Sequence, residues 1–171
     1  MDNDSQDRQL LSDIFRKYYS GLYNYGLKIS GFKDITKDAI QDLFIQLWNS
    51  RKNLTSIKDL RAYLFRSLRN NLLRDLKAIG KISTLEENND QWIEFSHEDL
   101  LILKEKGSEL GKTVSISLNK LPTRQKEIIF LRFYNDLSYK EIAQVLDISY
   151  KTVKNHTYQA LNSLRNDLKV V

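Results

Sequence analysis

The chain has 171 residues, 27 Lys and Arg against 22 Asp and Glu, no cysteine, one proline and six glycines. That length admits one domain or two small ones, the missing cysteines exclude a disulfide framework and any thiolate metal site, and so few helix breakers predict mostly helix. Charge is segregated, with a net +5 over residues 1–78, −4 over 79–118 and +4 over 119–171, so a bound polyanion would favour both ends and avoid the centre.

From Asp4 to Ile29, Leu10, Ile14, Tyr18, Leu22 and Tyr25 recur at spacings of three and four, and Phe15, Tyr19 and Tyr23 widen the stripe. This predicts an amphipathic helix with an aromatic face, and a stripe that keeps the helical period belongs in a core. Gly31-Phe32-Lys33 breaks it. Asp34 is the expected start of a second helix, with Asp38 in its first turns, where a carboxylate suits the helix dipole. Ile40, Leu43, Phe44, Leu47 and Trp48 form its apolar stripe. Asp38, Gln41, Asp42 and Gln46 make a polar flank that by itself reads as solvated surface.

Arg51 to Leu54 is a basic turn, and Thr55 or Ser56 is the expected cap of a third helix running to about Lys77. Leu60, Leu64, Leu68, Leu72 and Leu76 repeat every four residues along it and demand burial. Arg66, Asn70 and Arg74 repeat at the same interval on another face, with Arg69, Lys77, Tyr63 and Phe65 close by. Cations around an amide with aromatics nearby suit a nucleic-acid surface. A solvated face, or ion pairs with Asp59 and Asp75, explains the same pattern.

Residues 79–97 lose the helical period and read as a flexible acidic linker, with Trp92, Ile93 and Phe95 able to dock on a domain surface. Helical spacing returns from Glu98 to Leu118, weakened at Gly107 and Gly111. Leu121-Pro122-Thr123 marks a new helix, because proline fits a first turn. Its apolar residues are Ile128, Ile129, Leu131, Phe133 and Tyr134, and Asn135-Asp136 ends it.

Residues 138–168 form a helix-turn-helix. Ser138 with Glu141 three residues on is a capping box, and Ser149 is the natural N-cap of the second helix. Ile142, Leu146, Ile148, Val153 and Leu161 are expected to face inward, and Ala143 is small where two helices approach. Lys151, Lys154, Asn155 and Tyr158 fall on or near one outward face. Lys donates to guanine acceptors, Asn pairs bidentately with adenine, and Tyr contacts a thymine methyl or a phosphate, so this face suits major-groove reading. An ordinary solvated helix face is the competing reading.

No catalytic site is apparent. The chain shows no glycine-rich phosphate loop, no Ser-His-Asp set and no carboxylate pair with a reason to be perturbed. His97 and His156 sit in no metal-ligand spacing, and neither a cofactor nor a small-molecule substrate is expected. No stretch is apolar enough to span a bilayer, and the polar, acidic start is unlike a signal peptide, so a soluble cytoplasmic protein is the expectation.

The order of these parts resembles an extracytoplasmic-function (ECF) sigma factor of the sigma-70 family, the small bacterial initiation subunit of RNA polymerase. Leu22-Tyr23-Asn24-Tyr25-Gly26-Leu27 through Gly31 looks like the family's first helix and loop. Asp38 through Trp48 looks like the helix that grips the polymerase clamp. Arg61-Ala62-Tyr63-Leu64-Phe65-Arg66 through Asn70 looks like the helix that reads and melts the minus-ten element, and Leu121-Pro122 through Arg165 like the region that reads the minus-thirty-five element.

The resemblance implies roles. Asp38, Gln41, Asp42 and Gln46 would contact core RNA polymerase, and the loop from Arg51 to Asp59 would hold a flipped base. Tyr63, Phe65, Arg66, Asn70 and Arg74 would meet the minus-ten strand. Lys154, Asn155 and Tyr158 would read promoter DNA at minus thirty-five, with Lys151 and Thr152 on phosphates. The linker would lie in the RNA-exit path. An anti-sigma partner, often membrane-anchored in this family, is also implied. Relatives often carry Asp at the place of Arg74 and Arg at the place of Gln159.

The expected fold is therefore all-α, with two small helical domains: residues 1–78, a linker over 79–97, and residues 98–171 bearing the helix-turn-helix. Two other readings stand beside it. Thr152-Val153-Lys154-Asn155-His156 fits a LuxR-like helix-turn-helix regulator nearly as well, although residues 1–77 lack the alternating strands and helices of a receiver domain. A helical interaction module that does not bind nucleic acid is the third, which charge segregation weakens.

Overall fold

The leucine ladder and the two capped helices of the sequence recur in three dimensions in a computed structural model that describes residues 3–51, 56–81, 93–95 and 109–169. Among these residues every regular element is helical, and no helix is long and apolar enough to cross a membrane. The chain divides into two compact units, one of residues 1–85 and 144–146, the other of residues 86–143 and 147–171.

The first unit packs α1 (Asn3–Ser30), α2 (Lys33–Asn49) and α3 (Leu60–Ala78) against one another. Leu22 and Tyr25 from α1, Ile40, Leu43 and Leu47 from α2, and Leu64, Leu68 and Leu72 from α3 are fully buried. Each such side chain contributes about 1.5–3 kcal/mol relative to exposure. Leu60, at the start of the ladder, is only half-buried.

Short polar side chains fix the α1–α2 turn. Ser30 Oγ accepts the Phe32 N–H at 3.0 Å and lies 2.8 Å from Thr36 Oγ1, which also donates to the Phe32 carbonyl at 2.9 Å. Gly31 turns the chain at φ 71°. This knot moves the start of α2 one residue ahead of the expected Asp34: Phe32 is the N-cap, in extended conformation and without a side-chain cap. The start of α3 also differs from expectation. Asp59, not Thr55 or Ser56, is its N-cap, accepting the Ala62 N–H at 3.1 Å. Ser56 lies too far back to reach that amide, and Thr55 is outside the described residues. α3 ends on Gly80 at φ 69°, with Gly80 N–H bonded to Lys77 O at 3.0 Å and Lys81 N–H to Leu76 O at 2.9 Å. That pair of bonds satisfies the last free carbonyls of the helix.

The second unit contains α4 (Glu109–Asn119), α5 (Thr123–Ile129), the first five residues of α6 (Tyr139–Leu146) and α7 (Tyr150–Lys169). Pro122 precedes α5 as its N-cap, and its carbonyl takes the Lys126 N–H at 3.0 Å. The helix expected to run on to Tyr134 changes pitch instead. Phe130–Tyr134 is a π-helical turn, closed by Asn135 N–H on Phe130 O at 3.3 Å. The wider turn stacks the Phe130 and Tyr134 rings, 4.9 Å apart and 9° from parallel. The expected helical residues 98–108, with Gly107, and the acidic stretch with Trp92 lie outside the described residues.

Candidate nucleic-acid interface

Both helices of the helix-turn-helix begin as their sequences demand. Ser138 Oγ accepts the Glu141 N–H at 3.2 Å, and the Glu141 carboxylate accepts the Ser138 N–H at 2.6 Å. Ser149 Oγ accepts the Thr152 N–H at 3.0 Å and meets Thr152 Oγ1 at 2.8 Å. Between the helices Asp147 adopts φ 56°, and Ile148 N–H closes on Ala143 O at 3.1 Å. Asp is one of the few residues besides Gly that tolerates this left-handed corner.

Ile142, Leu146 and Val153 are buried as expected, and Ile148 is half-buried. Leu161 is not an inward residue: it is 44% exposed, and Ala160 is buried in its place. The inward line of α7 runs through Val153, Thr157 and Ala160 to Leu164 at spacings of four, three and four. Leu161 sits about 100° further round the helix.

The opposite side of α7 presents Lys151, Lys154, Asn155 and Tyr158, all exposed, Tyr158 to 68%. Thr152 is half-buried and holds the cap behind them. Sequence reasoning does not find the row that flanks this face. The Arg132 guanidinium donates to Leu137 O at 2.9 Å and lies 5.3 Å from the centre of the Tyr139 ring. Tyr139 meets Tyr150 edge-on at 6.2 Å, and the Lys154 ammonium lies 5.9 Å from the Tyr150 ring centre. The available signal is an aromatic as the first residue of each helix.

In the first unit, Arg66, Asn70 and Arg74 are exposed along one face of α3, with Tyr63 half-buried at its N-terminal end. Phe65, expected beside them, is instead a core residue. It is 2% exposed, with its ring 5.5 Å from that of Tyr25. Arg74 Nε pairs with Asp75 at 3.2 Å on an exposed surface, an interaction worth little.

On α2, Asp38, Gln41, Asp42 and Gln46 are all exposed. Beside them an open groove between α1 and α2 is lined by Leu11, Phe15, Tyr19, Ile40, Phe44 and Trp48. The aromatic stripe of α1 therefore splits. Tyr25 is core, but Phe15 is 41% exposed in the groove wall, with its ring edge-on to Phe44 at 4.9 Å.

Arg51, the first residue of the expected base-holding loop, points back to α1. Its guanidinium pairs with Asp7 at 3.3 Å and Asp4 at 3.5 Å and lies 4.4 Å from the Trp48 ring centre. Loop residues 52–55 lie outside the described residues.

The family model described as Sigma-70 region 2 matches residues 14–81, and that described as Sigma-70, region 4 matches residues 117–164. The RNA polymerase sigma factor YlaC of Bacillus subtilis (strain 168) is 22% identical over 161 residues, 94% of this chain and 93% of that protein. SigV of the same organism is 25% identical over 156 residues, 91% of this chain and 84% of that protein. Among solved structures, the sigma factor RpoE in complex with the anti-sigma factor NepR from Bartonella quintana is similar with a TM-score of 0.62 at 22% identity, over 93% of this chain and 96% of that one. CnrH in complex with the cytosolic domain of CnrY gives 0.63 at 21%, over 98% and 95%. These two share the fold.

Proposed function

The chain belongs to the sigma-70 family as a transcription initiation factor of the extracytoplasmic-function type, and on that premise we propose how its surfaces divide the work. Residues 1–78 bind core RNA polymerase and the minus-ten element, residues 79–97 link, and residues 98–171 read the minus-thirty-five element. The observation that carries the reading is the exposed row Lys151, Lys154, Asn155 and Tyr158 on the capped second helix of a helix-turn-helix.

Lys154 and Asn155 take base edges in the major groove, Tyr158 a thymine methyl or phosphate, and Lys151 and Thr152 phosphates. On α3, Tyr63, Arg66, Asn70 and Arg74 meet the minus-ten strand, and Phe65 supports that face from within. Melting is driven by capture of an extruded base, whose unstacking costs a few kcal/mol. The flank of Asp38, Gln41, Asp42 and Gln46 holds core polymerase. Two carboxylates repel phosphate but suit a protein partner, and the apolar groove beside them fits the same role,. The factor works in the cytoplasm, has no catalytic activity of its own and is restrained by an anti-sigma partner, of the kind often membrane-anchored in this family.

Run-off transcription from fragmented host DNA, with core polymerase and with or without this chain, tests the reading. New start sites should share two upstream elements at a fixed spacing. Lys154→Ala or Asn155→Ala should weaken the upstream element by about 1–3 kcal/mol per lost base contact and leave polymerase binding intact. Asp38→Ala with Asp42→Ala should do the reverse. No new start sites, from a chain that still shifts duplex DNA, would turn the assignment to a LuxR-like regulator.

A further inference from the structure

A lysine on its own discriminates poorly among bases. Its ammonium is a point charge on a flexible four-carbon stem, and in the major groove it can reach guanine N7 or O6, another acceptor or a phosphate. It becomes selective where the protein holds it. On α7 the holder is Tyr150. Tyr150 and Lys154 are four residues apart, so they share one helix face. Helical side chains lean toward the N-terminus, so Lys154 reaches back toward Tyr150, with its ammonium 5.9 Å from the ring centre. That is within the distance at which a ring attracts a cation.

A ring aims a lysine only if the ring is itself fixed, and Tyr150 is 47% exposed. It is fixed from outside its own helix. Tyr139, the first residue of α6, is half-buried and meets it edge-on, with the rings 6.2 Å apart and 70° from parallel. Edge-to-face is one of the arrangements that aromatic pairs favour. Tyr139 in turn faces the Arg132 guanidinium at 5.3 Å, and that guanidinium is tied to Leu137 O at 2.9 Å. Arg132 lies in the π-helical turn, whose stacked Phe130 and Tyr134 are backed by the Phe95 ring at 6.1 and 5.7 Å. Asn119 clamps Phe95 in place: its Oδ1 accepts the Phe95 N–H at 2.8 Å and its Nδ2 donates to the Phe95 carbonyl at 2.9 Å. A row of cation, ring, ring and cation therefore runs from a braced turn to the reading face.

We propose that Tyr150 is a positioning residue for base reading: its ring aims the Lys154 ammonium, so that preference at the base pair Lys154 meets depends on a ring that itself touches no base. The proposal rests on the assignment of Lys154 to a base edge above. Holding the lysine before DNA arrives also lowers the ordering cost of binding. The ring carries this role and the Tyr150 hydroxyl has no share in it. An aliphatic side chain would complete the helix as well and leave Lys154 unaimed.

The test is binding of polymerase carrying the full chain to promoter templates that change one base pair at a time across the upstream element. Lys154→Ala first locates the pair that Lys154 reads, as the position where preference is lost. At that pair Tyr150→Leu should lower the preference for the favoured base about two- to fivefold, the scale of an exposed contact between cation and ring. Preferences at the other positions and the salt dependence should stay as in the wild type. Tyr150→Phe, which keeps the ring and loses the hydroxyl, should behave as wild type. In the Lys154→Ala background Tyr150→Leu should change nothing, because the two residues act as one unit. The positioning role is overturned by a Tyr150→Leu chain that weakens all templates alike, by a Tyr150→Phe chain as impaired as Tyr150→Leu, or by an effect of Tyr150→Leu that persists without Lys154. A Lys154→Ala chain with every base preference intact overturns the assignment of Lys154, and the role of Tyr150 with it.

Discussion

At Ser138 a hydroxyl and a backbone amide exchange hydrogen bonds with Glu141, at 3.2 and 2.6 Å. The first turn of a helix leaves its N–H groups without partners, and this pair satisfies two of them. The need is sharp here because α6 has only eight residues, short for a helix to hold itself by propagation. Ser138→Ala should cost about 1 kcal/mol of stability, read as a lower urea midpoint with an unchanged slope. Ser138→Asp should restore most of it, because a carboxylate caps the same amide and suits the helix dipole. A Ser138→Ala chain as stable as wild type would mean that water replaces the cap at no cost. Asp59 does the same work on α3 with a single bond to the Ala62 amide.

At the level of elements, α1 crosses its neighbours at Gly26. A Cβ there would meet Thr36 Cγ2 at 2.8 Å and methyls of Leu68 and Leu72 at 3.4 Å. Thr36 cannot yield easily, because its hydroxyl is tied to Ser30 and to the Phe32 carbonyl. Gly26→Ala should therefore overpack the first unit and destabilise it by about 1–3 kcal/mol, despite the better helix propensity of alanine. Calorimetry on the full chain would see the first unit melt earlier, and an unshifted transition would show that the helices can part without cost. What sequence shows of such elements follows from period and reach. The leucine ladder of α3 and both helix-turn-helix caps are legible, because each is a local pattern. Phe65 misleads because α3 packs against both α1 and α2, so two adjacent rows are buried where one stripe is expected. Ser56 misleads because a cap is recognised only once the helix start is known, and the true start lies at Leu60. The π-helical turn and the Asn119 clamp leave no local mark. One adds a single residue to a turn, and the other joins residues 24 apart.

For the whole molecule, what decides function is that the two basic surfaces belong to separate compact units, while the acidic stretch lies between them in sequence. On the assignment proposed above, charges on separate units act on different parts of one promoter, so their contributions to binding should add. Phosphate contacts show in the salt dependence of affinity, each adding about 0.7–0.9 to the slope of log affinity against log salt. Lys151→Ala, on α7, should lower that slope for polymerase-bound factor on promoter DNA by about one phosphate contact and weaken all sequences alike. Arg66→Ala, on α3, should lower it by a similar step of about 0.7, the single-strand value, and only on templates that can open. The double variant should show the sum of the two. Asn155→Ala, at a residue proposed to read a base, should leave the slope in place and flatten the preference among upstream sequences. A double variant no shallower than either single one would mean that both cations serve one site, and a slope that moves with Asn155 would put that residue on the backbone rather than on a base.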